Sequence, residues 1–270
     1  MRGRKDWSKL LRPALLPLAF IVGIGSFVLV ANGASNKSSK PKKKAPDAPP
    51  PSVLMIGDSL SVGKFGETVQ AHLALKRRVA AYASCGSSPE HWLAAEPDFM
   101  TKCGYRQRTS DSDIFSDFVN GRPPRPTRTP KLADLVRKHK PTILVVQLGT
   151  NWMDRSLSDE QMNDYLSRFV DEARRGPVQN IVWIAPPDSS SLRKVQGRVH
   201  QLIRRAAGRK SFDVIDSRRV THYVVGKTGG DGVHYNSESS EAWARGIQKE
   251  LDAKLAITAR ERKFSQLNRD

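Results

Sequence analysis

The sequence predicts a three-layer α/β/α sandwich built on a five-stranded parallel sheet. Three observations carry this. Short, largely apolar runs recur at 53–56, 79–83, 142–148 and 180–185, and a fifth short strand reads at 212–216. The stretches between them repeat apolar residues at helical rather than alternating spacing. The intervals are also long enough for helical crossovers, so successive strands run parallel with right-handed connections.

In chain order, Val53-Leu54-Met55-Ile56 reads as a buried first strand. Residues 62–76 read as a helix because Phe65, Val69 and Leu73 recur at i, i+4, i+8. Val79–Ala83 gives a second strand, and Ser88-Pro89-Glu90 opens a short helix to Ala95, with Pro89 suited to a first helical turn. Residues 98–128 are polar, rich in Arg and Pro, and read as a long irregular loop, which is usually functional or mobile. Its large apolar residues are few (Phe99, Met100, Tyr105, Ile114, Phe115, Phe118, Val119), which argues against an acyl-chain lid. Thr129-Pro130 starts a helix to His139, and Thr142–Leu148, the most apolar strand, is expected at the centre of the sheet. Ser158-Asp159-Glu160 caps a helix to Arg175, followed by the strand Asn180–Ala185. A basic amphipathic helix (190–207), a fifth strand (212–216) and a last helix (239–255) complete the body. The domain therefore spans 52–257, with a polar tail at 258–270. In such sheets ligands bind beyond the carboxyl ends of the strands.

Ahead of the body, Arg2, Arg4, Lys5, Lys9 and Arg12 precede Pro13–Ala31, a stretch without a charged residue. Residues 1–31 therefore read as a membrane anchor or a cleaved signal peptide, with Ala31-Asn32-Gly33 an acceptable cleavage site. Lysines on both flanks leave the orientation undecided. Residues 32–51 are rich in Lys, Pro, Ser and Ala and read as a disordered linker. The body is expected outside the cytoplasm. Cys85 and Cys103 suit an oxidising compartment, where they either pair as a disulfide or remain two free thiols.

The formal charge is +18, of which residues 1–51 hold ten Lys/Arg against two Asp, and it favours anionic surroundings. No zinc-finger or aromatic RNA-binding signature is present, so no nucleic-acid partner is expected. No glycine-rich phosphate loop follows the first strand, and no Cys/His spacing suggests a metal.

The chemistry concentrates at strand ends. Gly57-Asp58-Ser59-Leu60 closes the first strand and places a serine hydroxyl at a sharp turn. Ser59 is a candidate nucleophile, or equally a helix cap. Asp58 reads as part of the turn. Far downstream, Asp231-Gly232-Val233-His234 offers a base, His234, and an orienting carboxylate, Asp231, three residues apart. His72, His139 and His200 read as solvated helix faces, and His91 and His222 as weak competitors for the base. Gly149-Thr150-Asn151 follows the central strand, where an Asn amide can donate to a developing oxyanion, and Gly86 can present a backbone N–H with no side chain in the way.

Together Gly57-Asp58-Ser59-Leu60, Gly86, Gly149-Thr150-Asn151 and Asp231-Gly232-Val233-His234 resemble, in order, the four blocks of the SGNH (GDSL) hydrolase family. The resemblance spans 53–235 and implies a flavodoxin-like fold. It also implies a Ser59–His234–Asp231 triad, an oxyanion hole from the Ser59 N–H, the Gly86 N–H and the Asn151 side chain, and no cofactor or metal. One departure is Trp152, where many members have Asp. Its side chain is expected either at the rim, stacking on a sugar or lining an acyl pocket, or in the core. The implied activity is ester hydrolysis. With the N-terminal segment it points to O-acetyl groups on a bacterial cell-envelope glycan, at the periplasmic or extracellular face. A lysophospholipase or short-chain lipase, an O-acetyltransferase and a non-catalytic envelope binding module are the alternatives. The partners expected are the ester-bearing glycan or lipid and the membrane, and the body is expected to be a monomer.

Overall fold

A computed structural model describes residues 52–153 and 155–267. The expected anchor or signal and the linker lie outside the described residues. The body starts with β1 (Ser52–Gly57), the short α1 (Ser59–Val62), α2 (Lys64–Ala74) and β2 (Arg78–Ser84). A 3₁₀ turn at Pro89–Trp92 precedes four short strands: β3 (Met100–Thr101), β4 (Tyr105–Arg108), β5 (Asp113–Ser116) and β6 (Thr127–Arg128). Then come α3 (Leu132–His139), β7 (Ile143–Gln147), a 3₁₀ turn at Thr150–Trp152, α4 (Asp159–Arg174), β8 (Asn180–Ala185), α5 (Arg193–Lys210), β9 (Asp213–Asp216) and α6 (Ser237–Leu267).

The main sheet runs β5-β4-β2-β1-β7-β8-β9. The five expected strands form its parallel part, with β7 at their centre, in the flavodoxin-like order. The sheet has seven strands rather than five. The stretch read as a loop contains the β4–β5 hairpin, which adds antiparallel to β2, and a separate β3–β6 pair. The hairpin escapes a periodicity search because its strands have four residues each and an edge position that leaves polar side chains solvated. The last helix continues to Leu267, into the segment read as a polar tail.

Two apolar layers sandwich the sheet. Leu54, Ile56, Leu144 and Val146 face α3, α4 and α5, while Val53, Met55, Ile143 and Val145 face α2 and α6. This strict alternation along strands buried on both sides explains why each reads as a continuous apolar run. Phe65 stacks on Trp243 at 3.5 Å, tying α2 to α6.

Cys85 and Cys103 are joined in a disulfide. It pins the turn after β2 to the start of β4, beside the hydrogen bond from the Cys85 amide to the Gly104 carbonyl (2.9 Å). The bridge closes a loop of 18 residues, which stabilises by about 3 kcal/mol through the unfolded chain. The Cys85→Ala/Cys103→Ala variant should therefore melt roughly 6–12 °C lower, measured by calorimetry under oxidising conditions. An unchanged midpoint would contradict this.

Candidate active site

In the order β2-β1-β7, the chain reverses its direction of winding between β1 and β7, and a crevice opens at their carboxyl ends. Ser59 follows β1, Gly86 follows β2 and Asn151 follows β7, so local sequence and topology bring three of the candidates to one rim. The fourth block arrives on the loop before α6. His234 Nε2 lies 2.9 Å from Ser59 Oγ, and His234 Nδ1 lies 2.5 Å from Asp231 Oδ2. Serine, imidazole and carboxylate thus stand in series, able to pass a proton from the hydroxyl to the ring while the carboxylate holds the ring.

Several groups fix the carboxylate and the loop that carries it. Asp231 Oδ1 accepts from the backbone N–H of His234 (2.7 Å) and Val233 (2.9 Å). Burial would raise the Asp231 carboxyl, but these bonds and the imidazole outweigh it and hold it at about 2. Gly232 has φ +87°, and a Cβ there would fall 1.8 Å from Ser191 Oγ, so the turn between carboxylate and base accepts only glycine. The Gly232 N–H donates to the Tyr223 hydroxyl, which itself donates to the His234 carbonyl. Ser189 and Ser191 donate to the Gly232 and Asp231 carbonyls. Asp188 holds their loop through the Tyr223 N–H and the Gln196 side chain. Sequence reasoning misses Asp188, Ser189, Ser191 and Tyr223. The only local signal is the polar run Asp188–Ser191 after a strand end, and its partners lie some 40 residues downstream.

On the opposite side, Gly86 adopts φ +78°, and its N–H has no acceptor among the described residues. Asn151 Nδ2 donates to the Ser87 carbonyl at 2.8 Å, leaving its second N–H for a ligand. Ser59 opens α1, so the helix itself provides no acceptor for its N–H. Ser59, Gly86 and Asn151, each at the carboxyl end of its own strand, thus each keep an N–H free of a partner among the described residues, the kind of donor an oxyanion needs. The Asn151→Ala variant should lose about 10²–10³ in kcat with little change in KM, measured by steady-state kinetics. A loss confined to KM would assign Asn151 to binding instead.

Trp152 does not reach the rim. It is 1% exposed and packs in the core, and its indole N–H donates to Glu90 at 2.8 Å. Glu90 also accepts from Arg155, and burial raises its carboxyl above the usual range. A tryptophan buried with a partner for its N–H anchors the turn that carries Asn151. His200 is likewise not solvated: it is 1% exposed, with Nε2 2.9 Å from the Pro186 carbonyl, and burial lowers it to about 4. His91 accepts from the Ser88 N–H and stacks on Phe99, and burial lowers it to about 4. His222 is exposed, 3.6 Å from Asp188. None of these three meets Ser59.

Asp58 does more than turn the chain. It is fully buried, and its Oδ1 caps α1 through the Leu60 N–H at 3.0 Å, holding Ser59 at the first helical position. Burial raises its carboxyl to about 6, moderated by the Leu60 N–H and by the Thr150 and Gln147 side chains. A raised folded value means the native state binds a proton that the unfolded chain, at 3.8, has already lost. Stability should therefore fall as pH rises from about 4 to about 6 and then level off. Asp58→Asn keeps a capping oxygen and should flatten that slope in urea titrations across this range. An unchanged slope would mean that Asp58 is charged in the fold.

Among the described residues no cluster of His, Cys, Asp or Glu could hold a metal. No curated protein sequence matches the chain significantly. Solved structures share its fold. A carbohydrate acetylesterase family member from Sinorhizobium meliloti is 17% identical with a TM-score of 0.52, covering 76% of this chain and 99% of its own. A carbohydrate esterase family 3 protein from Talaromyces cellulolyticus is 15% identical with a TM-score of 0.51, covering 77% and 98%. An aryl esterase of M. smegmatis is 12% identical with a TM-score of 0.52, covering 75% and 99%. The family description GDSL-like Lipase/Acylhydrolase matches residues 53–247, which hold every block of the site. The chain therefore belongs to the GDSL-like lipase/acylhydrolase family and is a serine carboxylic ester hydrolase.

Proposed function

We propose that the enzyme removes O-acetyl groups from a cell-envelope glycan, such as peptidoglycan, through an acyl-enzyme on Ser59. His234 takes the Ser59 proton as Oγ attacks the ester carbonyl. The carbonyl oxygen becomes the oxyanion, held by the Ser59 and Gly86 N–H groups and the Asn151 amide. The C–O bond to the sugar breaks, and the leaving hydroxyl takes the proton from His234. Water, deprotonated by the same ring, then releases acetate and restores Ser59. A sugar hydroxyl in place of that water would make the enzyme a transferase.

The observation that carries the substrate class is the openness of the site. The side chains of His234 and Asp231 are 51% and 56% exposed, so the reacting groups sit on a shelf that a polymer can cross. Neighbours described as carbohydrate acetylesterases agree with this reading. The apolar segment at 13–31 supports attachment to the envelope, with the body on its outer side. One observation favours a lipid instead: Ile114, Phe115, Phe118 and Val119 are 48–67% exposed along β5 and its extension.

Acetate release from O-acetylated peptidoglycan, compared with fatty-acid release from a lysophospholipid, tests the substrate. Release from the glycan alone is expected. Octanoyl esters turned over faster than acetyl esters would favour the lipid reading.

A further inference from the structure

The end of the sheet opposite Ser59 is a cationic face with two grooves. In this fold each helix runs back to the start of the next strand, so helix C-termini gather at that end. There α2 hands to β2 through Lys76, Arg77 and Arg78, α3 hands to β7 beside Arg137, Lys138 and Lys140, and α4 hands to β8 after Arg174 and Arg175. Lys76, Arg78, Lys138, Lys140 and Arg175 are exposed and have no ion-pair partner among the described residues. The carboxylates nearby are mostly taken: Asp134 pairs with Arg137, Asp171 with Lys210 and Asp213 with Lys254. Asp111 lies in the field of Lys138 and His139 and accepts from the Thr109 hydroxyl. Helix dipoles favour a cation in each last turn, but they do not account for the grooves that these cations line.

One groove, of about 540 Å³, is lined by Ala133, Val136 and Pro177 together with Arg137, Lys140 and Arg175. Its one carboxylate, Glu172, is buried and engaged by the Ala94 and Ala133 N–H groups. The other, of about 500 Å³, is lined by Val79 and Ala80, by the polar Gln70, Thr109 and Ser110, and by Arg78, Lys138 and Arg108, the last paired with Asp113. Its titratable His139 is paired with the Tyr82 hydroxyl. Grooves lined by cations, the first of them with aliphatic side chains as well, suit an amphiphile with a phosphate head. The second groove is also lined by Ser52, where residues 1–51, with ten Lys/Arg and the uncharged stretch 13–31, join the body.

We propose that this face docks on an anionic phospholipid bilayer. Arg78, Lys138, Lys140 and Arg175 meet the headgroup phosphates. The Ser59 end of β1, about 20 Å away along its six residues, faces away from the lipid. The docking is a property of the folded body and holds whichever ester Ser59 cleaves.

The test uses residues 48–270, a compact unit with its own two-layer core that solved neighbours match over 99% of their length. It removes the apolar segment as a source of binding. Vesicles of phosphatidylcholine, with or without phosphatidylglycerol, are floated with the body at about 0.15 M salt. Binding should require phosphatidylglycerol and weaken as salt rises. The Arg78→Glu/Lys138→Glu/Lys140→Glu variant should partition at least about tenfold less. Arg122→Glu/Arg125→Glu/Lys194→Glu changes net charge equally on other surfaces and should retain binding. Both variants should turn over p-nitrophenyl acetate as the parent does, which shows that they fold. Equal losses in the two variants would reduce the effect to net charge and overturn the proposal. Binding independent of phosphatidylglycerol, or binding to heparin without binding to vesicles, would overturn it too.

Discussion

Replacing Ser59 with alanine is expected to lower kcat for p-nitrophenyl acetate by at least about 10⁴-fold, with little change in KM. The hydroxyl stands 2.9 Å from His234 Nε2, which can take its proton as the oxygen becomes the acyl carrier. Without it, the N–H donors and the imidazole can still assist water, so a small residual rate should persist. The change removes one oxygen from a half-exposed position, while the α1 cap belongs to Asp58, so the fold should survive. Intact-mass analysis after a phosphonate ester inhibitor gives an independent reading: one adduct on the parent, none on Ser59→Ala. Turnover equal to the parent would remove Ser59 from the chemistry.

Asp231→Asn should cost about 10⁴-fold in kcat, and the hydrogen bonds say why. Asp231 Oδ1 is held by the Val233 and His234 N–H groups, which an amide oxygen can also satisfy. The amide nitrogen must then occupy the Oδ2 position, 2.5 Å from His234 Nδ1. It donates there, so Nδ1 has to accept and the ring proton moves to Nε2. A protonated Nε2 cannot take the proton of Ser59. Nitrogen-15 NMR of the imidazole should report this change of tautomer, together with a melting transition that stays cooperative. A loss below tenfold would mean that another group orients the ring.

The extent to which the sequence exposes this protein differs by element. The parallel strands β1, β7 and β8 are legible because each is buried on both faces, and a continuous apolar run needs no knowledge of its neighbours. The β4–β5 hairpin is not legible, since strands of four residues at an edge are defined by what they pair with. Ser59, Asn151, Asp231 and His234 are legible because four blocks, each weak alone, stand in the order that resembles the SGNH (GDSL) family. The assignment of Asp58 to the turn is right in position and incomplete in physics. A local signal shows a turn, but not that the carboxyl is sealed from water.

The sequence by itself determined the parallel layers and, through the resemblance of four short blocks to a known family, named the candidates for nucleophile, base and donors. The layers follow from local apolar period, the candidates from residue types that recur in the family's order. Only the tertiary structure decided that Trp152 and His200 are core residues, that Tyr223 and Asp188 hold the histidine loop, and that cations from three separate turns form one face. Those outcomes depend on burial and on partners tens of residues away, and neither is a property of any window of the chain.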